Sequence, residues 1–465
     1  MKNQKQATSI PIELLRKYDR PGPRYTSYPT APVWSNDVGS DAYIKALKNA
    51  SAREDEPFAV YCHIPFCECR CYYCGCNTVI TKNSDKVTTY IQTLKKEIKN
   101  TAKHLKNRKN VNQLHFGGGT PTYLSIEQFN DILDTLDSAF EFIEGCEKSI
   151  EIDPRVTTEE QIKALVDRGF NRISMGVQDF DNDVQIAIGR IQSFELVQQK
   201  VDFCKSLNFE GVNIDLIYGL PKQSIESFKE TLSKAISLKP DRVALYSFAY
   251  LPSVKANQMK IVESELPVTE DKYKLFALAV EMFTEAGYLQ IGMDHFALPN
   301  DELSIAQNDG RLHRNFMGYT VQASPEMIGI GMSSIGYIDN SFFQSYSVLS
   351  KYMEAVEESG FAVFRGMQLN QDDLIRQYVI NSLMCNFHLS FDEFQKKFDI
   401  QYHDYFSKEH KELSEFFVDN FLDAPSGGLK ISEIGKTFIR NIAMVFDAYL
   451  NKDSDGKKPT FSRTI

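Results

Sequence analysis

Residues 62–76 read CHIPFCECRCYYCGC and hold six of the chain's nine cysteines: Cys62, Cys67, Cys69, Cys71, Cys74 and Cys76. Thiolates are soft ligands that suit zinc or iron–sulfur clusters. A structural zinc site takes four ligands, usually as two spaced pairs. Cys71 and Cys74 form one C-x2-C pair, but no second Cys or His pair lies at a fitting distance. The other choice is C-x3-C-x2-C through Cys67, Cys71 and Cys74. Three thiolates on a tight loop can hold three irons of a [4Fe–4S] cluster, which normally takes four cysteines. The fourth iron is then open to a small molecule, and an open position means catalysis rather than structure, a logic familiar from zinc. Cys62 and Cys69 fall outside this spacing and leave open an alternative set of Cys69, Cys71 and Cys74.

A second stretch, GGGTPTYL at 117–124, also suggests chemistry. It is neither a Walker A loop, since no G-K-[ST] follows, nor G-x-G-x-x-G. Three glycines at a strand end let a ligand approach the backbone closely. The remaining cysteines, Cys146, Cys204 and Cys385, are scattered and read as small core residues.

The elements that must position these residues are legible as a repeating pattern. Short apolar runs lie at 58–64, 113–116, 149–153, 172–177, 212–220 and 242–251. Several are nearly continuous, as strands covered on both faces should be. Helical patterns stand between them, for example at 87–107, 158–169 and 224–238, where Ser224 can cap the last. Strand and helix alternating six times predict a parallel sheet with right-handed crossovers. Six units fall short of a closed eight-unit barrel. A partial (β/α)6 barrel is therefore expected, with a doubly wound sheet as the alternative and a weak further strand near 290. Either fold places its site at the C-terminal strand ends.

Around this core the expected domains are an N-terminal arm (1–56), the partial barrel (57–345) and a mainly helical, winged-helix-like C-terminal domain (346–465). The N-terminus lacks the apolar run of a signal peptide, and no stretch approaches the roughly 18 to 20 apolar residues of a membrane span. A cytoplasmic location follows, where clustered cysteines mean metal or redox chemistry before disulfides. The net charge of −10 argues against a nucleic-acid partner.

C-x3-C-x2-C behind a first strand, with the aromatic Tyr73 before its last cysteine, resembles the radical S-adenosylmethionine (SAM) superfamily, in which a glycine-rich turn binds the SAM amino group. The resemblance sharpens and runs nearly end to end. HIPFC and CYYCGCN, RYTSYPTA (24–31), SIEIDPR (149–155), NRISMGVQDF (171–180), NIDLIYGLPKQ (213–223), MDHFA and LHRNFMGYT are similar to the oxygen-independent coproporphyrinogen oxidases.

This resemblance implies an oxidoreductase of porphyrin and haem biosynthesis. It assigns the cluster to Cys67, Cys71 and Cys74. A SAM on the open iron would touch Tyr61, Gly118, Glu151 and Ile335. A second SAM would lie near Tyr73, Gly119, Thr120, Gln178, Arg190, Asp215 and Ala249. An electron passed to the SAM sulfonium would yield a 5′-deoxyadenosyl radical, which takes hydrogen from a propionate β-carbon. Loss of CO2 and one electron then leaves a vinyl group. Two such events turn coproporphyrinogen III into protoporphyrinogen IX. The expected partners are that substrate and a reductant such as flavodoxin or ferredoxin, acting on a monomer.

An acidic chain needs local cations for a substrate with four carboxylates, and Arg24, Arg311, His313 and Arg314 are the candidates. His295 reads as a satisfied core histidine. Cys76 stands two residues past the third ligand, where a fourth thiolate on the open iron would exclude SAM. It is expected to line the radical's path, or to hold substrate, as a tentative catalytic residue. A haem chaperone is one rival reading, but such relatives lack the RYTSYPT arm and Cys76. A radical SAM enzyme that opens haem rings is another.

Overall fold

The computed structural model describes residues 10–321, 326–450 and 461–464. All six expected strands form: β1 (Phe58–Ile64), β2 (Asn110–Gly118), β3 (Glu141–Ile152), β4 (Arg172–Gln178), β5 (Gly211–Tyr218) and β6 (Arg242–Ser247). They pair in parallel, each beside the next in sequence. A doubly wound sheet would reverse that order at a switch point. The unbroken order makes this the barrel type of winding, and it is open, because the sheet's terminal strands do not pair.

The crossover helices are α1 (Ser84–Leu105), α2 (Ile126–Ala139), α3 (Glu159–Asp167), α4 (Phe194–Ser206) and α5 (Ile225–Ser237). Each begins at a side chain that accepts a hydrogen bond from the first turn: Asn83, Ser125, Thr158, Ser193 and the expected Ser224. Such caps satisfy backbone donors that the helix itself cannot. One apolar face of each helix then covers the sheet. On the strands, Val60, Cys62, Leu114, Ile150, Ile173, Ile214 and Leu245 are completely buried.

Among the described residues the sheet has twelve strands. The weak strand near 290 is a short antiparallel hairpin, β7 (Leu289–Ile291) and β8 (His295–Ala297), on the β6 edge. On the other side of β1 lies a strand that the sequence reading missed, β9 (Met327–Ile330), which is also parallel. Antiparallel strands β10 (Ile335–Ile338), β11 (Ser341–Ser345) and β12 (Val363–Gln368) continue that edge. The sheet therefore runs past residue 345 to Gln368, and the helix Gln371–Asn386 leads on into the C-terminal unit.

That unit packs helices against a small antiparallel sheet of His388–Ser390, Gly428–Ile431 and Leu422–Asp423, a winged-helix-like arrangement. The N-terminal arm shares its core. Tyr18 packs on Phe416, Phe421 and Phe438, with ring centroids 5.2, 5.2 and 5.3 Å away. Arg440, buried, donates to the Gly22, Pro23, Ser462 and Arg463 carbonyls and so holds both ends of the chain.

One buried acid lies under β1. Glu97, on α1, accepts from Tyr352 Oη at 2.6 Å and from the Gly331 N–H at 2.9 Å, both at Oε2. Burial raises its pKa to about 7, although the two donors oppose the shift. The folded pKa exceeds the unfolded value, so protonation favours the fold. That contribution is complete below about pH 4.5 and is lost as pH rises through 7. Glutamine can present an amide oxygen to the same two donors. Relative to wild type, Glu97→Gln should therefore gain stability between pH 5 and pH 8.5, by up to about 3 kcal/mol. Denaturant titrations at the two pH values measure this, and parallel curves would show that burial does not perturb Glu97.

Candidate active site

The C-terminal ends of β1 to β6 open into a cavity of about 770 Å3. Its wall brings together Cys67, Cys71, Cys74 and Cys76, the turn Gly118–Gly119–Thr120, Glu151 and Asp153, Gln178 and Arg190, Asp215, and Ala249. Five strand ends and one loop thus supply what the sequence had scattered over almost two hundred residues.

The cysteine loop has little regular structure. Phe66–Cys67 pairs with Val79–Ile80 at its base. The rest is held from outside. Asn257 Nδ2 lies 3.2, 3.0 and 2.9 Å from the carbonyl oxygens of Cys71, Tyr72 and Cys74. Gln258 Nε2 donates to the Tyr73 and Ala249 carbonyls at 2.9 and 3.1 Å. Sequence reasoning missed both residues, since NQ in a polar loop carries no local signal. The Tyr72 N–H donates to the Ile188 carbonyl at 2.8 Å.

Among the described residues, no three His, Cys, Asp or Glu side chains converge as ligands to a single ion. The thiols are free and spread along one wall. Arg155 Nη2 and Arg190 Nη1 each donate to Cys71 Sγ at 3.8 Å. Both guanidiniums also meet Asp153 Oδ2, at 2.6 and 3.0 Å. Burial works against the Asp153 carboxylate, but Arg155 and Arg190 hold its pKa below the ordinary range. Hydrogen bonding from Cys76 holds the Cys74 thiol down to about 6, against its burial. Cys69 is exposed and Cys62 is completely buried in β1.

The glycine turn has a different cause from the one expected. A Cβ on Gly118, where φ is +118°, would lie 2.6 Å from the His63 ring. A Cβ on Gly119 would lie 2.7 Å from the backbone of Pro65 and Phe66. The glycines let β1 and β2 close on each other, so a bulky residue there would break the turn before it met any ligand. What the turn offers the cavity is backbone, and the Gly118 N–H is already donated to Glu151 Oε2 at 3.1 Å. That bond and His115 outweigh burial and hold the Glu151 pKa below its ordinary value. Asp215, hydrogen-bonded by Ser174 at 3.1 Å, is pushed up to about 7 by burial and by the nearby Glu151 charge. Gln178 sits at φ +71°, a rare conformation for a residue with a side chain.

Other candidates lie elsewhere. Tyr61 is stacked on His115 with ring centroids 5.9 Å apart and donates toward His63 Nδ1 at 3.0 Å, just outside the cavity lining. Ile335 belongs to an apolar cluster with Trp34 and Phe342 and does not line the cavity. Arg311 is an exposed ion-pair partner of Asp309 at 2.8 Å, not a cavity residue. His313 is an exposed hairpin residue near Lys397. Arg311 precedes the hairpin strand His313–Asn315, and on that strand His313 and Arg314 point to opposite faces because only alternate residues share one. Arg314, the residue after His313, has its side chain buried on the Tyr319 ring and 3.7 Å from Asp294. His295 is bonded to Asp294 at 2.8 Å. Arg24 is half-buried and donates to the Ser247 carbonyl at 3.0 Å, at the end of β6.

A partial barrel with a three-cysteine loop beyond β1 is the architecture of the radical SAM superfamily, whose family pattern matches residues 61–235. The fold and site thus define a radical SAM enzyme, a class that uses SAM and a [4Fe–4S] cluster. The chain is 44% identical, over 97% of each chain, to the oxygen-independent coproporphyrinogen III oxidase of Synechocystis. Against the Escherichia coli protein of that name it is 41% identical over 98% of each. The solved Escherichia coli coproporphyrinogen III oxidase structure, described as a radical SAM enzyme, superposes with a TM-score of 0.90. That match spans 96% of this chain and 100% of the other. The chain belongs to the oxygen-independent coproporphyrinogen III oxidase family. Among the described residues no helix is long and apolar enough to cross a membrane.

The clamp on the cysteine loop is directly testable. Asn257→Ala removes one amide that serves three carbonyls, without touching a thiol. The variant should fold, with wild-type far-ultraviolet circular dichroism, but retain less iron and sulfide after anaerobic reconstitution and desalting. Retention equal to wild type would show that the loop holds its own shape.

Proposed function

We propose that this protein decarboxylates two propionate side chains of coproporphyrinogen III to vinyl groups, giving protoporphyrinogen IX without oxygen. The observation that carries the reading is one cavity whose wall holds five free thiols, Cys67, Cys71 and Cys74 among them, with the glycine turn and the carboxylates Glu151 and Asp215. The donor set fits a [4Fe–4S] cluster, because free thiols at Cys67, Cys71 and Cys74 line one cavity and Cys71 already receives two cationic donors. Cys67, Cys71 and Cys74 would hold the cluster. Cys67 lies near both others, as its electrostatic coupling to Cys74 and Cys71 reflects, and this favours it over exposed Cys69.

When bound, the cluster and SAM supply a 5′-deoxyadenosyl radical able to take hydrogen from a propionate β-carbon. The chain's own residues orient and enclose. Glu151, ionised and fixed by Gly118 and His115, suits a ribose, since a carboxylate can accept two hydroxyl hydrogen bonds. Tyr61 would close the floor of that subsite. Ile335 could take part only across its strand edge, given its place in the apolar cluster. Tyr73, Gly119, Thr120, Gln178, Arg190, Asp215 and Ala249 line the same cavity and would hold a second SAM. A one-electron protein donor of the flavodoxin or ferredoxin kind would act on a monomer. Of the substrate candidates, Arg24 and Arg314 are supported by their places at the β6 end and beside Asp294, and Arg311 and His313 are not.

Serine at Cys67, Cys71 or Cys74 should abolish the visible iron–sulfur absorption and all SAM cleavage, whereas Cys69→Ser should keep both. A cluster lost from Cys69→Ser and kept in Cys67→Ser would reverse the ligand assignment.

Cys76 lines the cavity beside Cys74 without being needed as a ligand. Cys76→Ala should keep the cluster, cleave SAM slowly and form no vinyl groups. The measured ratio is deoxyadenosine released to propionates decarboxylated. A wild-type ratio and rate would reduce Cys76 to packing.

A further inference from the structure

A second, smaller cavity of about 50 Å3 lies where the N-terminal arm, the β6 end and the C-terminal unit meet. Arg24, Ser247, Asp294, Lys436 and Arg440 are in its wall, and Ser247 is also in the wall of the large cavity. Beside it stands Lys272, on the helix Thr269–Glu285, donating to the Phe248 carbonyl at 3.0 Å. Among the described residues, Arg24, Lys272 and Arg440 make no ion pair with any carboxylate. The lining carboxylate, Asp294, is engaged by His295 and faces Arg314.

The charges are close enough to disturb one another. Burial, then the neighbouring Arg24, push the Lys272 ammonium down to about 8. Burial and Arg24 likewise push the Arg440 guanidinium down to about 10. Asp294 and Asp19 act on these cations only from beyond ion-pair distance, and partly buried cations are costly, so an anion placed among them offsets that cost. Arg440 spends its donors on four backbone carbonyls, but Arg24 donates only one of its five N–H groups and Lys272 one of three. The stem of Lys272 also has a made place. It runs against Gly219, where a Cβ would lie 2.9 Å from Lys272 Cε.

We propose that this cleft is a carboxylate subsite: Arg24 and Lys272 hold one propionate of the substrate while another, the reacting one, lies in the large cavity across Ser247. The cavity has room for one carboxylate or a few waters. This assignment rests on the functional reading above. It makes the two anchors positioning residues for a side chain that is not being decarboxylated at that moment.

The test is fluorescence titration of reconstituted full-length protein with coproporphyrin III and, separately, with its uncharged tetramethyl ester. Arg24→Gln and Lys272→Met should each weaken coproporphyrin III binding about 10- to 100-fold, the loss expected for a charge-assisted hydrogen bond. Iron content and ester affinity should stay at wild-type values, and Lys272→Arg should recover most of the lost affinity. Wild-type coproporphyrin III affinity in both neutral variants overturns the subsite. An equal fall for acid and ester shows general damage to the cavity and also overturns it. If wild type turns coproporphyrinogen III over to protoporphyrinogen IX, either result strikes the subsite alone. If wild type neither binds coproporphyrin III nor forms that product, the functional reading itself fails.

Discussion

A loop that turns its sulfurs into a cavity bonds little of its backbone to itself, here the Cys74 N–H to the Cys71 carbonyl at 3.3 Å. This constraint shapes the rest of the site. The carbonyls of Cys71, Tyr72, Tyr73 and Cys74 face donors that must come from elsewhere, and Asn257 and Gln258 supply them. Those two residues sit in a segment that follows β6, the last strand of the barrel. The loop after the first strand is thus fixed by the segment after the sixth. Arg190, in the wall beyond β4, and Arg155, beyond β3, complete the enclosure at Cys71 and Asp153. An open barrel can do this because its first and last strands lean toward one cavity without having to pair.

Much of the frame was legible because its strands are covered on both faces and so are written as near-continuous apolar runs. FAVYCHI and RISMGV leave little choice of element. β9 was not legible, because MIGI is four residues long and its parallel partner β1 lies more than two hundred positions earlier. The site was legible by type and spacing at the thiols, and by strand-end position at Glu151 and Asp215. It was illegible where a residue acts through its amide on a distant backbone, as Asn257 does, or where strand alternation decides which of three neighbouring cations turns inward. Arg311, His313 and Arg314 look alike in sequence, yet only Arg314 is buried.

Some motif residues have structural work that resembles function in a sequence. Gln223, in GLPKQ, donates to Asp179 Oδ2 at 2.6 Å and to the Ile217 carbonyl at 2.8 Å. Asp179, in VQDF, also accepts from Thr231 at 2.6 Å. The two motifs are halves of one buried knot that fixes the β4 and β5 ends. At the opposite end of the barrel Arg172 and Arg242 share Glu302 and pair with Glu147 and Asp301. That end is braced by these ion pairs.

Charge is distributed by the same logic. The chain is acidic overall, at −10, which keeps general polyanions away. Arg24, Lys272 and Arg440, which among the described residues make no ion pair, are gathered where the N-terminal arm reaches β6. Arg440 explains why the arm is there at all. By holding the carbonyls of Gly22 and Pro23 on one side and Ser462 and Arg463 on the other, it pins the arm so that Arg24, the next residue, meets the β6 end. The two chain ends, remote in sequence, thereby become one wall at the mouth of the cavity. An arm that were merely packed could be trimmed without consequence for the site. An arm whose guanidinium meets the Ser247 carbonyl ties the packing of the C-terminal unit to the end of β6.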